Sequence, residues 1–212
     1  MTAGMKTLII ARHGNTFGPG DTPTRVGART DLPLVESGKA QAKALGLHFL
    51  ENGLVPDVVY VSPLLRTQHT ADIILQATNT EAAIETLELL REIDYGPDEN
   101  RPEEAVIARI GIEAIKLWDE RAIVPKGWLV DPDKLIRGWL DFSQSIEKSE
   151  KNTFLAVTSN GAARFAPHIT GDFEGFRTGF PLKLRTGAYG ILQFDGDRWF
   201  AAGWDIRPEN PS

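Results

Sequence analysis

Three short apolar runs in the chain lack the polar alternation of a strand that has one face in water. They are TLIIA at 7–11, DVVYV at 57–61 and FLAVT at 154–158. Such runs are typical of strands that are buried on both faces. A turn with polar residues and then a helical pattern follow each run. This order predicts an α/β fold, a three-layer sandwich in which helices flank a mostly parallel central sheet.

The first two helices can be placed from their apolar spacing and their end signals. The first is expected at 36–52, with Ser37 as its N-terminal cap. For the second, Ser62 is the expected cap and Pro63 the first helical residue, because proline at that position loses no hydrogen bond. This helix is expected to end near Gln76.

The segment 97–151 departs from the alternation of strand and helix. It contains two helical patterns joined by a linker with proline and glycine at 123–133. We therefore predict a single domain over 1–212 with a helical insertion at 97–151 over the active site. Trp118, Trp128 and Trp139 are expected to form a small core of that insertion. Apolar runs on both sides of the Asp-Gly-Asp at 195–197 predict a β-hairpin.

Composition excludes several classes of function. The chain is 42% hydrophobic and 25% charged, as is usual for a globular protein, and its net charge of −6 argues against a nucleic-acid partner. There is no cysteine, so disulfides and thiolate chemistry are excluded. No apolar run approaches the ~18 residues of a membrane helix. We expect a cytoplasmic protein without a membrane partner.

Residues with chemical potential stand where the three predicted strands end. They are Arg12, His13 and Gly14, then Arg66, then Asn160 and Gly161. In open α/β sheets, ligands bind beyond the carboxyl ends of the strands. Two guanidiniums, an imidazole and a helix N-terminus at one place favour a phosphate dianion. The two glycines are expected to let the backbone approach that ligand closely.

Five stretches in a fixed order carry a resemblance to a known family: ARHGNT at 11–16, TDLPLVESGKAQAKALG at 30–46, SPLLRTQHTA at 62–71, LREIDYG at 90–96 and VTSNG at 157–161. Together they resemble the histidine phosphatase superfamily, which contains the cofactor-dependent phosphoglycerate mutases and many small phosphatases. The resemblance implies a small phosphorylated substrate and no metal or other cofactor, and it allows for a homodimer.

The resemblance also implies a role for each matching residue. His13 is the expected nucleophile, which forms a phosphohistidine intermediate. Arg12 and Arg66 are expected to hold the phosphoryl oxygens, with Gly14, Asn160 and Gly161 as further phosphate contacts. Glu92 is expected to protonate the leaving alcohol and then to activate water. Other acids lie close to Glu92 in the chain, so this assignment depends on the match to LREIDYG.

Two positions depart from the family pattern. Asn160 stands where the family has its second catalytic histidine, and asparagine donates a neutral hydrogen bond but supplies no positive charge. We expect slower chemistry or a shifted pH profile. Pro19 stands where mutases have an asparagine that contacts phosphate, and Arg29 is expected to compensate. His168 is not expected to replace the histidine, since eight residues of helix would place it ~12 Å away.

Three functions follow from this pattern. The first is hydrolysis of a phosphomonoester through phosphohistidine. The second is a phosphoglycerate mutase, which is disfavoured because RHGNTFGPG lacks the RHGES and the Trp-Asn pair of mutases. The third is a protein that binds a phosphorylated ligand with little or no turnover, because of Asn160. Lys183 and Arg185 are expected to be surface charges, with contact to the substrate as the less favoured alternative.

Overall fold

The computed structural model describes residues 4–209 and contains a six-stranded sheet with the order β3-β2-β4-β1-β5-β6. The strands are β1 Lys6–Arg12, β2 Val58–Val61, β3 Ala83–Thr86, β4 Thr153–Thr158, β5 Tyr189–Phe194 and β6 Trp199–Ile206. The pairs β1–β4, β4–β2 and β2–β3 are parallel, whereas β5 is antiparallel to β1 and β6. The predicted α/β fold is confirmed as a mixed sheet between helices.

The helices all lie between β1 and β5 in chain order. They are α1 Glu36–Glu51, α2 Leu65–Thr78, α3 Glu103–Ile110, α4 Ile112–Arg121, α5 Pro132–Glu147, α6 Asn160–Ala163 and α7 Phe173–Gly179. Short 3-10 turns occur at Glu88–Leu90, Gly96–Asp98 and Ala166–Thr170. None of the helices described between residues 4 and 209 has the length and apolar character needed to cross a membrane.

Both faces of the sheet are covered, which explains the apolar runs in the sequence. Leu8 and Ile10 of β1 pack into one core, and Ile9 packs into the other, with α1 and α2. All three side chains are 0% exposed. The edge strand β3 was not predicted because every one of its residues is exposed, so it carries no apolar pattern.

Both predicted helix caps are wrong by two residues, since the observed caps are Val35 and Leu64. Ser37 lies inside α1, which begins one residue earlier without a side-chain cap. Ser62 and Pro63 precede α2, which begins at Leu65. The Leu65 N–H is instead bound by the carboxylate of Asp31, at 2.8 Å. A residue distant in sequence therefore supplies the cap, and local spacing cannot reveal it.

The segment 97–151 forms α3, α4 and α5, and Gly111 at φ +82° separates the first two. The prediction that its tryptophans form a separate small core is wrong. Trp118, Trp128 and Trp139 belong to the same core as Leu8 of the sheet, because α5 packs directly on the sheet face. Near the C-terminus, the predicted hairpin is confirmed as β5 and β6.

Candidate active site

A cavity of about 600 Å³ opens at the carboxyl edge of the parallel strands. Four of the predicted site residues line it: Arg12, His13, Glu92 and Asn160. Arg12 ends β1 and lies beside Thr158, the last residue of β4, in the sheet register. The parallel register therefore brings residues about 150 positions apart to one place, as the pattern of strand ends predicted.

The ring of His13 is held in one orientation. Its side chain is buried, and Nδ1 lies 2.7 Å from the backbone oxygen of Gly14. A carbonyl oxygen only accepts, so Nδ1 carries the proton and Nε2 keeps its lone pair. Burial, followed by the charges of Arg66 and Arg12, lowers the pKa of His13 well below its usual value. At neutral pH the ring is therefore uncharged, which a nitrogen nucleophile requires.

The two predicted arginines occupy different positions. Arg12 faces the cavity, and its Nη1 donates to the backbone oxygen of Leu184 at 2.7 Å. Arg66 is fully buried outside the cavity wall, and it donates to the backbone oxygens of Thr30 at 2.8 Å and Gly27 at 3.2 Å. Its charge acts on His13 from within the protein. Direct contact between Arg66 and a phosphoryl group stays a prediction.

Glu92 is buried and fully bonded at the cavity. Its Oε1 accepts from the backbone N–H of Ile93 at 2.9 Å, and its Oε2 accepts from Gly161 N–H at 3.2 Å and from the Tyr95 hydroxyl at 3.4 Å. Hydrogen bonds from neutral donors fix the carboxyl group without an ion pair. Glu92 thus presents a carboxyl group with a fixed orientation to the cavity.

The other acids near Glu92 in the chain are engaged elsewhere. Glu88 pairs with Arg91, Asp94 with Arg29 and Asp98 with Arg109, and Glu99 accepts from the N–H groups of Gly27 and Arg29. None of these four acids lines the cavity. The geometry therefore singles out Glu92 among five neighbouring carboxylates.

The two glycines of the site have a packing role that was not predicted. The N–H of Gly14 donates to the Thr70 hydroxyl at 3.2 Å, and a Cβ on Gly14 would overlap the backbone of Gly38 in α1. The N–H of Gly161 is bound to Glu92, whose carboxylate would overlap a Cβ there. Both glycines let protein elements pack closely around the site. Their contact with a phosphate stays a prediction.

The loop at 182–188 organises the site, and no sequence signal pointed to it. The backbone N–H of Leu184 donates to Asn160 Oδ1 at 2.9 Å, while its oxygen accepts from Arg12. Two residues later, the Thr186 hydroxyl donates to Asn15 Oδ1 at 2.6 Å. With its oxygen engaged, the Asn160 amide has its NH₂ group left to donate into the cavity.

Two cations in the cavity wall were missed or undervalued. Arg25 lies with its guanidinium 5.6 Å from the Tyr95 ring and 5.0 Å from the Trp128 ring, and it pairs with Glu103 of α3 at 2.7 Å. Lys183, predicted as a surface charge, also lines the cavity. The helical segment after residue 97 thus contributes Glu103 and Asp119 to the wall, and its description as an insertion over the active site stays a prediction.

Three other residues with an expectation attached lie outside the cavity wall. Arg29 does not reach the cavity, since Asp94 holds its guanidinium at 3.1 Å. Pro19 is exposed and outside the wall. His168 stacks on Phe173 at 3.9 Å and does not line the cavity either, as predicted. Within residues 4–209, no three His, Asp or Glu side chains are grouped to hold a metal ion.

Comparison with known proteins identifies the class to which this site belongs. The model of the histidine phosphatase superfamily (branch 1) matches residues 8–207. The chain therefore belongs to that superfamily, and the resemblance inferred from its motifs is confirmed at this level.

Individual relatives include both mutases and phosphatases. A 2,3-bisphosphoglycerate-dependent phosphoglycerate mutase of Mesorhizobium japonicum is 26% identical over 93% of this chain and 96% of its own length. One from Clavibacter sepedonicus is 28% identical over 61% of this chain, and the chain spans about half of that relative, 51%. Other mutases are matched over similar fractions of their length, 47% and 49%.

Solved structures share the fold. A mycobacterial glucosyl-3-phosphoglycerate phosphatase superposes with a TM-score of 0.76 at 16% identity, over 96% of this chain and 100% of that one. The alpha-ribazole phosphatase from Shigella flexneri gives 0.70 at 20% identity, over 97% and 99%. At these identities the superpositions show a common fold.

Proposed function

We propose that this protein is a phosphatase that hydrolyses a small phosphomonoester through a phosphohistidine intermediate on His13. The observation that carries the proposal is the pairing of an uncharged imidazole, with its Nε2 lone pair free, and a buried carboxyl group, Glu92, at one cavity. A nucleophile and a proton donor are the two groups that displacement at phosphorus needs.

In the first proposed step, Nε2 of His13 attacks phosphorus and the bond to the ester oxygen breaks. Protonated Glu92 gives its proton to that oxygen, so the alcohol leaves neutral. Arg12 stabilises the charge on the phosphoryl oxygens from the cavity wall, and the buried charge of Arg66 adds to the field. In the second step, water attacks the phosphohistidine while the Glu92 carboxylate takes its proton, and phosphate is released.

Asn160 is proposed to stand at the position of the second family histidine. Its Oδ1 is engaged by Leu184, so its NH₂ group would donate to a phosphoryl oxygen. Because this hydrogen bond is neutral, it stabilises the transition state less than a charged one. The proposed consequence is a slow phosphatase rather than an inactive protein, since His13, Arg12 and Glu92 all remain.

Phosphoglycerate mutase is the second candidate, because the curated relatives carry that name. The phosphatase is favoured over it, since the mutase residues after RHG are lacking and the structural neighbours named above are phosphatases. A protein that only binds a phosphorylated ligand is the third. Cytoplasmic location and a homodimer stay predictions from the sequence.

The direct test is release of p-nitrophenol from p-nitrophenyl phosphate by the wild type, His13→Ala and His69→Ala. His69 lies on α2 outside the cavity wall, so its variant should keep the wild-type rate while His13→Ala falls to background. Equal rates for all three would refute the phosphatase proposal. Formation of 2-phosphoglycerate from 3-phosphoglycerate, faster than hydrolysis, would favour the mutase.

A further inference from the structure

The outer part of the cavity wall contains two sets of ion-paired side chains. Their members in the wall are Arg25, Glu103, Asp119 and Lys183. In the first, Arg25 and Glu103 pair at 2.7 Å, one charge against one. In the second, the carboxylate of Asp119 faces two cations, Arg164 at 3.2 Å and Lys183 at 3.7 Å. The second set therefore has a surplus positive charge at the cavity.

Asp119 is the counter-ion of Arg164. The Arg164 side chain is 0% exposed, stacks over the Trp118 ring at 4.3 Å and donates to the backbone oxygen of Trp118 at 2.6 Å. A buried guanidinium without a counter-ion is strongly disfavoured. Asp119 therefore has to stay with Arg164, and this leaves Lys183 as the cation that can change partners.

The ammonium group of Lys183 is free to leave Asp119 for another partner. Lys183 has a side chain that is 56% exposed, and its Nζ is farther from Asp119 than hydrogen-bond distance. Its backbone is nevertheless fixed, because the next residue, Leu184, binds both Arg12 and Asn160. Lys183 thus has a flexible ammonium group on a fixed backbone beside the phosphoryl site. It is suited to reach a second, negatively charged group of a substrate.

We infer that Lys183 selects phosphomonoesters whose alcohol part carries a second anionic group, such as a carboxylate. This inference rests on the proposed phosphatase function. Arg25 does not provide the same selection, since Glu103 neutralises it. A substrate with a cationic alcohol part is disfavoured, because Glu103 and Asp119 already have cationic partners and Lys183 would repel it.

The experiment compares two pairs of substrates that differ in a carboxylate. These are phosphoserine with phosphoethanolamine, and 3-phosphoglycerate with glycerol 3-phosphate. The wild type should have the higher kcat/KM for the carboxylate member of each pair. Lys183→Met should lower kcat/KM for that member roughly three- to tenfold, with little change for the other, as expected for the loss of one charged hydrogen bond. Lys183→Arg should restore the preference.

Lys116→Met is the matched control and should leave the carboxylate preference unchanged. Lys116 of α4 is 57% exposed and lies 3.5 Å from the carboxylate of Glu113, much as Lys183 lies near Asp119, but it does not line the cavity. If Lys183→Met slows both members of each pair equally, or leaves the carboxylate preference intact, the inference about Lys183 is overturned while the phosphatase stands. If no phosphomonoester, including p-nitrophenyl phosphate, is hydrolysed, the proposed function fails and the inference with it.

Discussion

Replacing Glu92 by Gln tests the proposed proton transfer against the packing of the site. The carboxylate accepts from three donors, the N–H groups of Ile93 and Gly161 and the Tyr95 hydroxyl. The NH₂ group of a glutamine has to face at least one backbone N–H. Two donors that face each other in a buried place cost about 1–3 kcal/mol. We expect the melting temperature to fall by about 2–4 °C for each kcal/mol.

The effect of Glu92→Gln on rate should depend on the leaving group. An alkyl oxygen needs a proton to leave, so loss of the acid should slow formation of the phosphoenzyme by about 10²–10⁴-fold. Nitrophenolate leaves without a proton, so the same step should slow much less with p-nitrophenyl phosphate. The second step needs a base with either substrate. The variant should therefore give a burst of about one nitrophenolate per active site, followed by slow turnover.

Rapid-quench measurement of a single turnover with glycerol 3-phosphate and with p-nitrophenyl phosphate supplies the comparison. Glu88→Gln is the control, because Glu88 is exposed, bonded to Arg91 and outside the cavity. It should leave both rates unchanged. Equal slowing of the first step for both substrates in Glu92→Gln would refute the assignment of Glu92 as the acid.

Three further predictions follow. Gly14→Ala should destabilise the protein by about 1–3 kcal/mol in urea denaturation, since the new methyl overlaps the start of α1. Gly179→Ala, where nothing lies within 4 Å of a Cβ, is the control and should be neutral or slightly stabilising, because Gly179 ends α7. The NMR signals of His13 should show titration well below the ordinary pKa of 6.5. Because the unfolded chain then binds the proton first, the contribution of His13 to stability should be complete above pH 6.5 and decline as the pH falls below it. A His13 that titrates at its ordinary value would contradict this. Asn160→His should raise turnover by about tenfold if the protonated ring donates a charged hydrogen bond to the phosphoryl group, in which case the Leu184 N–H loses the acceptor that Asn160 Oδ1 provides. Unchanged or lower turnover would count against the proposed position of Asn160.

The sequence predicted those parts of the fold that leave a pattern in neighbouring residues of the chain. The central strands were found because burial on both faces leaves a continuous apolar run, as in β1. Arg12 and His13 were found because charged groups at the end of such a run are unusual. The edge strand β3 has exposed side chains throughout, so its only cause is pairing with β2, which is not local.

The outer part of the site depends on tertiary contacts and was predicted poorly. Arg25 and Arg29 lie four residues apart in the same irregular segment, and nothing in their spacing tells which one faces the cavity. The difference arises from their partners. Arg29 pairs with Asp94 outside the cavity wall, whereas Arg25 lies over Tyr95 and pairs with Glu103 of α3. In the loop at 182–188, Leu184 binds Arg12 and Asn160 through its backbone groups, which any residue type provides.

The central claim is that His13 carries the phosphoryl group during turnover. The most direct measurement is to mix the protein with a phosphomonoester, quench at alkaline pH and map the modified peptide by mass spectrometry. We expect an acid-labile, base-stable phosphate on His13 that is absent from His13→Gln. Turnover without such an adduct, or an adduct on another residue, would contradict it.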